Sequence, residues 1–451
     1  MELEGKRAVV IGLAGSGEAA IKLLHKKGAL ISATDIKKEE EIDRAVLETA
    51  KNYGAELFLG GHPGEIFERA DFVVVSPGVP KDLPQLAAAR AAGARVISEL
   101  EFAYSESDVP AIAVTGTNGK TTVVTLIGEI LKEAYGEGRV FVGGNIGTPY
   151  AELALDDEVR EAAAVEVSSF QLEFVDEFRP PVAVLLNITA DHLDRYSGFE
   201  EYADVKMRIF ANQGGSDFAV VNIDDPEVAK RAPSIKSKVL EVSLEKRPET
   251  GMWLNGDVME FMEDGEVRTK LEVADVKLHG SHNLMNVMVS VCAAKAFGVD
   301  FDKIKKAVLS FNGLPHRLEL VRELDGVRYY NDSKATNAGA VAAAVTGLSG
   351  GLILLMGGQA KGCSFAELQE LFREKVRLVV AFGECREQLS DELGMSTRVE
   401  IVDNIEEAVK TAAGEAESGE SVLLSPGCAS FDQFTSYKHR GETFRRLVMG
   451  L

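Results

Sequence analysis

The sequence predicts an α/β protein of three domains: a Rossmann-like N-terminal domain, a central P-loop α/β domain with an antiparallel flank, and a Rossmann-like C-terminal domain. Three observations predict it. The chain has 451 residues, about three ordinary domain lengths. Short apolar runs alternate with segments of helical period along most of it. Glycine-rich or polar turns recur at the carboxyl ends of those runs, where open parallel sheets place their ligands. The expected domains are residues 1–100, 101–313 and 314–451.

In the first domain, Arg7 to Ile11 reads as a strand. Gly12-Leu-Ala-Gly-Ser-Gly17 follows, then a helix from about Glu18 to Lys27 and a strand from Ala29 to Thr34 ending at Asp35. This is a βαβ unit with an acidic residue where a ribose would be held. Its glycine spacing leaves three readings open: NAD binding, a nucleotide-sugar cradle, or a purely structural turn. Phe72 to Val75 and Ala94 to Ser98 are further strands, with the rigid turn Ser76-Pro-Gly-Val-Pro80 between them. Glu101 to Asp108 is polar and precedes Pro110, so it is taken as the first boundary.

The second domain opens on Val114-Thr-Gly-Thr-Asn-Gly-Lys-Thr-Thr122. A buried strand, Ala111 to Val114, leads in, and a helical segment, Val123 to Lys132, leads out. Gly116 and Gly119 let backbone N–H groups face phosphate oxygens. The helix start adds positive charge. Lys120 can reach the outer phosphates, and the Thr121 hydroxyl can ligate Mg²⁺. The commoner spacing would put another glycine at Val114. Glu166, ending the strand Ala162 to Val167, suits Mg²⁺ coordination. Asp191 and His192 follow the strand Pro181 to Leu186 and could ligate a metal or contact phosphate. By composition alone, Lys206 in the helix Phe199 to Phe210 is a surface lysine. Phe218 to Val221 is a strand, and Val239 to Val276 reads as an antiparallel flank. Asn283 and Asn286 lie three apart at a helix start, able to hold phosphates or metal-bound water, or to cap.

Gly313-Leu-Pro-His-Arg317 marks the second boundary. The third domain repeats the doubly wound pattern, with strands at Val327 to Tyr330, Gly351 to Met356, Leu378 to Phe382 and Val422 to Leu424.

The net charge of −22 argues against a nucleic-acid surface, though not against local phosphate sites. No apolar run reaches membrane-spanning length, and the first residues lack a signal peptide's order. Cys292, Cys363, Cys385 and Cys428 are scattered without metal-ligand spacing, as expected of free thiols in a reducing cytoplasm.

These motifs together resemble the Mur ligases, ATP-dependent amino-acid-adding enzymes of peptidoglycan precursor synthesis. The P-loop, Glu166 with Ser168-Ser-Phe-Gln171, Asp-His-Leu-Asp194, His282-Asn-x-x-Asn286, Leu-Pro-His-Arg317 and Asn331-Asp-Ser-Lys-Ala-Thr-Asn337 carry the resemblance. The last of these, with Ser425-Pro-x-Cys-Ala-Ser-x-Asp-Gln-Phe434, is similar to the D-glutamate-adding branch. The resemblance implies UDP-N-acetylmuramoyl-L-alanine and D-glutamate as substrates, ATP, two Mg²⁺ sites, and a CO₂-derived carbamate on Lys206. It makes Lys120, Glu166, His192 and Lys206 catalytic, with Thr121, Glu166, His192 and carbamylated Lys206 as metal ligands.

By the same resemblance, ATP is held by Gly116, Thr117, Asn118, Gly119, Lys120, Thr121, Thr122, Asn283, Asn286, Arg317 and Asp332. Ser16, Asp35, Ile36, Asn145, Ser168, Gln171 and His192 contact the UDP substrate. Lys334, Thr336, Lys361, Ser430, Phe431 and Tyr437 line the D-glutamate pocket. A cytoplasmic monomer without nucleic-acid or membrane partners is expected. Two positions depart from the family pattern, Ala14 and Ala360. The alternatives are a Mur-type ligase for another amino acid, a folylpolyglutamate synthetase-like enzyme, and a P-loop switch.

Overall fold

Apolar runs bounded by turn residues become buried parallel strands throughout the computed structural model, which describes residues 2–192, 195–278, 280–348, 350–360, 362 and 364–451. Contacts divide the chain into two bodies. One holds the residues up to Val276 with Met285–Phe311; the other holds Lys277–Leu284 with Asn312–Leu451.

The first body carries two sheets. In one, the strands Arg7–Ile11, Leu30–Asp35, Glu56–Leu59, Phe72–Val75 and Arg95–Ser98 are all parallel, in the spatial order third, second, first, fourth, fifth. The order reverses beside Arg7–Ile11, so the turns after Ile11 and Val75 face one another. The Ser76 hydroxyl donates to the Gly12 carbonyl at 2.9 Å. The first helix spans Gly15–Lys26, so Gly15, Ser16 and Gly17 lie inside it rather than before it.

The other sheet has nine strands. The P-loop strand Ala111–Thr115 lies between Ala162–Glu166 and Val182–Leu185, parallel to both. Both neighbours therefore deliver side chains to the carboxyl edge where the P-loop turns. Val140–Gly144 closes one side; Phe218–Asn222, Lys238–Ser243 and Gly251–Asn255 extend the other. The expected antiparallel flank is narrower than read. Lys238–Ser243 pairs in parallel with both of its neighbours, and antiparallel pairing begins only with the hairpins through Val258–Glu263 and Glu266–Glu272.

The polar reading of Glu101 to Asp108 is also corrected. Glu99–Ser105 is a helix whose Glu99, Leu100, Glu101, Phe102 and Ala103 are buried. The Glu101 carboxylate accepts the N–H groups of Asp176, Glu177 and Phe178, each at 2.9 Å, so its charge is met inside the protein. Phe102 packs edge-on against Phe72 within one apolar core that runs under both sheets. Truncating a fully buried ring of this kind costs about 3–5 kcal/mol.

The second body holds one six-stranded sheet. Its spatial order is Glu319–Leu324, Val327–Asn331, Ser421–Leu424, Leu352–Gly357, Val376–Phe382, Arg398–Ile401. Only the first pair is antiparallel. Apolar cores lie on both faces, as a doubly wound sheet requires.

Candidate active site

The P-loop is clasped from the side by Asn187. Its Oδ1 accepts from the N–H groups of Thr117 (3.1 Å) and Asn118 (2.8 Å), and its Nδ2 donates to the Asn118 carbonyl at 3.1 Å. Thr117 Oγ1 meets the Tyr202 hydroxyl at 3.1 Å. Gly119 stands at the helix N-cap in the left-handed region, φ +87°, where a Cβ would lie 2.7 Å from Asn286 Oδ1. The conformation thus favours glycine there, and a Cβ would also push the Asn286 amide aside. As a glycine, Gly119 brings no side chain to the start of the helix Lys120–Tyr135, and a helix start is where an anion is favoured.

Two ammonium groups converge on one carbonyl. Lys120 Nζ donates to the oxygens of Gly116 (2.9 Å) and Thr117 (2.8 Å). Lys206 Nζ donates to Gly116 O at 2.8 Å. The surface reading of Lys206 is overturned: it is 2% exposed and its ammonium lies 4.6 Å from the Tyr202 ring centre. Tyr202 and Lys206 share the buried face of the helix Phe199–Met207. Burial, and then the charge of Lys120, push its pKa well below the ordinary lysine value, while Asp191 opposes them.

Glu166 is buried at the end of the neighbouring strand. Its Oε1 accepts from Asn145 Nδ2 at 3.0 Å; its Oε2 is buried and has no hydrogen-bond partner among the described residues. A buried carboxylate oxygen left open fits a hard cation such as Mg²⁺. Among the described residues no three His, Cys, Asp or Glu cluster as a metal cage. His192 adopts φ +52° and is half exposed. Its N–H donates to Asp191 Oδ1 at 2.9 Å, and its ring rests on Phe170 at 4.8 Å. Holding a non-glycine residue at positive φ is a local strain of the kind found at ligand sites.

Of the residues expected at the UDP substrate, Ser168 and Gln171 form a capping box at the start of the short helix Ser169–Leu172. Gln171 also faces the buried Glu99. Asp35 takes the Leu13 N–H at 2.7 Å and the Lys37 N–H at 2.9 Å, so it shapes the turn as well as facing it. Ile36 is 75% exposed and Ser16 half-buried. Ala14, where the family commonly has glycine, is the helix N-cap with φ −102° and ψ −171°, an extended conformation that alanine adopts without strain.

In the second body, the Asp332 carboxylate accepts from the Leu318 N–H and the Ser425 hydroxyl, each at 3.1 Å. Enclosure of that carboxylate raises its pKa to about 7, opposed by those two donors and by Arg317. Lys334 stacks its ammonium 4.1 Å from the Tyr437 ring centre. Ser430 is buried, whereas Thr336 and Phe431 are exposed. Asn283 and Asn286 sit on the helix Ser281–Ala296, both buried. Lys361, with Asp194 and His279, lies outside the described residues.

Three structural residues were given no role in the sequence reading. Asn187 is one. Arg440 is another: fully buried, it donates to Ser333 Oγ (3.0 Å), Gly357 O (3.1 Å), Ser333 O (3.0 Å) and Cys428 O (3.0 Å). It thereby ties together the three turns that carry the expected amino-acid pocket. Burial lowers its pKa to about 10, which leaves it charged. The third is His316, buried at φ +65°, whose Nδ1 lies 2.9 Å from Asn331 Nδ2.

Family models match in chain order: a MurD-like Mur ligase N-terminal domain at residues 6–98, the Mur ligase middle domain at 114–294, and the Mur ligase glutamate ligase domain at 316–428. The chain belongs to the Mur ligase family. It is 46% identical to the UDP-N-acetylmuramoylalanine–D-glutamate ligase of Geobacter metallireducens over 451 residues, covering 100% of this chain and 99% of that one. It is 42% identical to the protein of the same name from Desulfatibacillum aliphaticivorans, covering 100% of both. Among solved structures, it resembles a pseudomurein peptide ligase type C from Methanothermus fervidus (TM-score 0.62, 19% identity, 99% of this chain and 100% of that one). It also resembles MurF from Acinetobacter baumannii (TM-score 0.60, 17% identity, 98% and 93%). At such identities the likeness is one of fold, and that fold is the three-domain α/β architecture of Mur ligases. No described helix is long and apolar enough to cross a membrane.

Proposed function

We propose that this chain is an ATP-dependent ligase that adds D-glutamate to UDP-N-acetylmuramoyl-L-alanine, with release of ADP and phosphate, in peptidoglycan precursor synthesis. Relatives spanning its whole length bear the name of that ligase. The observation that carries the reading is the convergence of Lys120 and Lys206 on the Gly116 carbonyl at the start of the P-loop helix.

The chemistry has two steps. The terminal phosphoryl group of ATP passes to a carboxylate oxygen of the L-alanine end, giving an acyl phosphate and ADP. The D-glutamate amine then attacks the acyl carbon, the carbon–oxygen bond to phosphate breaks, and the amine loses a proton as the amide forms. Activation is needed because a carboxylate is a poor electrophile. Donor and acceptor are both anionic, so cations must offset charge as the phosphoryl group moves. Lys120, freed from its backbone contacts, supplies one, and the helix start supplies partial charge. Mg²⁺, when bound, would neutralise phosphate oxygens. Thr121 and Glu166 would hold one ion, and His192 and carbamylated Lys206 the other. A buried lysine whose amine is held toward its neutral form is the kind that CO₂ modifies.

Residues 1–100 would take the UDP end through Ser16, Asp35 and Ile36, and residues 101–313 the nucleotide. Residues 314–451 would take D-glutamate through Lys334, Thr336, Lys361, Ser430, Phe431 and Tyr437. Asn145, Ser168 and Gln171 would meet the muramoyl-alanine end. Asn283, Asn286, Arg317 and Asp332 would complete the ATP site. The working state is a cytoplasmic monomer. The test is phosphate release with UDP-N-acetylmuramoyl-L-alanine and ATP, comparing D-Glu with L-Glu, L-Ala and L-Lys. Release with D-Glu alone is expected; equal release with every amine, or with none, defeats the assignment.

A further inference from the structure

Two cysteines that sequence spacing leaves unrelated meet in the second body. Cys385 follows the strand Val376–Phe382 and stands at the N-cap of the helix Arg386–Leu393. Cys428 lies in the turn after Ser421–Leu424. Their sulfurs are 3.0 Å apart, and both residues are free and buried. The surrounding backbone fixes the pair. The Cys385 N–H donates to Gly358 O at 3.0 Å, Cys428 O accepts from Arg440, and Gln359 and Ala429 exchange N–H···O bonds of 2.8 and 3.0 Å.

The two sulfurs differ in access. A cavity of about 470 Å³ is lined by Gln359, Ala360, Gly362, Glu384, Cys385 and Gln388. Cys385 is on its wall; Cys428 is not. The Cys428 thiol hydrogen-bonded to Cys385 lowers the pKa of the latter and raises its own. One reachable sulfur that ionises first, backed by a second within contact, is the arrangement of an attacking and a resolving thiol.

We propose that Cys385 and Cys428 form a site of reversible oxidation by small hydroperoxides, closing to an intrachain disulfide. The Cys385 thiolate attacks one peroxide oxygen, the O–O bond breaks, and a sulfenic acid and hydroxide form. The Cys428 sulfur then attacks the Cys385 sulfur, the S–O bond breaks, and water leaves with the Cys428 proton. Two thiols and one hydrogen peroxide thus give one disulfide and two waters. The sulfurs need to approach by only about 1 Å to reach bonding distance. This inference stands apart from the ligase reading, because its readout is thiol chemistry.

The test uses the full, reduced chain, treated with hydrogen peroxide and then alkylated. The thiol count should fall from four to two, a digest should join the Cys385 and Cys428 peptides, and dithiothreitol should restore all four. Cys428→Ser should instead accumulate a dimedone-reactive sulfenic acid at Cys385. Cys363→Ser should behave as the parent chain. Survival of all four thiols, or a linkage through Cys363 or Cys292, overturns the proposal.

Discussion

Two strand–turn–helix units of the same body are written in similar letters and held by opposite means. In Gly12-Leu-Ala-Gly-Ser-Gly17 the turn is closed by tight backbone packing: Gly12 has φ +88°, and a Cβ on Gly17 would fall 1.9 Å from the Gly12 carbonyl. An anion, Asp35, takes its Leu13 amide. In the P-loop the turn is clasped by a neutral amide, Asn187, and two lysines crowd its Gly116 carbonyl. Glycine spacing describes how tightly a chain turns. The sign of the charge brought to the turn decides whether it suits a ribose hydroxyl or a phosphoryl group in transfer.

The hardest blow to that contrast is to remove the cations. Lys120→Ala should lower phosphate release by about 10²–10³-fold, the loss typical of deleting one donor to a charge that develops in the transition state. Unchanged release would mean that the loop does not serve catalysis. Lys206→Ala should also silence the enzyme. Short carboxylic acids should restore part of the rate if a carboxylate-like ligand is what has been lost. A full rate in the variant ends the metal-ligand assignment.

The seam between the two units gives the next effect. Glu99 is fully buried there, its Oε1 accepting from the Ala151 N–H at 2.5 Å, and burial pushes its pKa from 4.5 up to about 7. Below pH 4.5 both native and unfolded states hold the proton. Between 4.5 and 7 only the native state does, so stability falls as pH rises, and above 7 the loss is complete. At about 1.4 kcal/mol per unit this is about 3 kcal/mol. Glu99→Gln keeps an acceptor for Ala151 and cannot ionise. Urea unfolding at pH 5 and pH 8 should therefore show a smaller drop in the variant than in the parent. Equal drops would place the titration elsewhere.

The parts of both units that could be read from the sequence are those whose physics is local. Four-residue apolar runs such as Phe72–Val75 are buried on both faces, Phe72 and Val74 in one core and Val73 and Val75 in another, so every position is apolar and the strand is legible. The P-loop announces itself because glycines, lysine and helix start are contiguous. Lys206 was legible only by family resemblance, since a lysine on a helix is ordinarily solvated. Its place four residues after Tyr202, on the face that packs inward, was the available signal. Arg440 repeats the lesson: it shares a four-residue stride with Phe444 and Val448, both buried. Glu101 and the Cys385–Cys428 pair had no such signal. Their partners arrive from loops distant in the chain.

The clasp itself can be cut. Asn187→Ala removes three side-chain hydrogen bonds to the P-loop backbone, each worth about 1 kcal/mol net. A KM for ATP raised about tenfold, with the KM for the UDP substrate unmoved, is the expected signature. If both constants move together, the loop is not a separable element and the contrast with the first turn weakens.

The smallest effect belongs to the first turn. Both Asp35 oxygens accept backbone N–H groups, from Leu13 and from Lys37. In Asp35→Asn one oxygen becomes an NH₂ group that must face a donor, so one hydrogen bond is lost and the turn is pushed outward. At about 1 kcal/mol the expected result is a several-fold rise in the KM for UDP-N-acetylmuramoyl-L-alanine, with kcat and the KM for ATP retained. Asp35→Glu keeps the charge but lengthens the arm, and should show a similar rise if geometry rather than charge matters. A loss of kcat instead would mean that this turn reaches the reacting atoms, and that the two units share a single task.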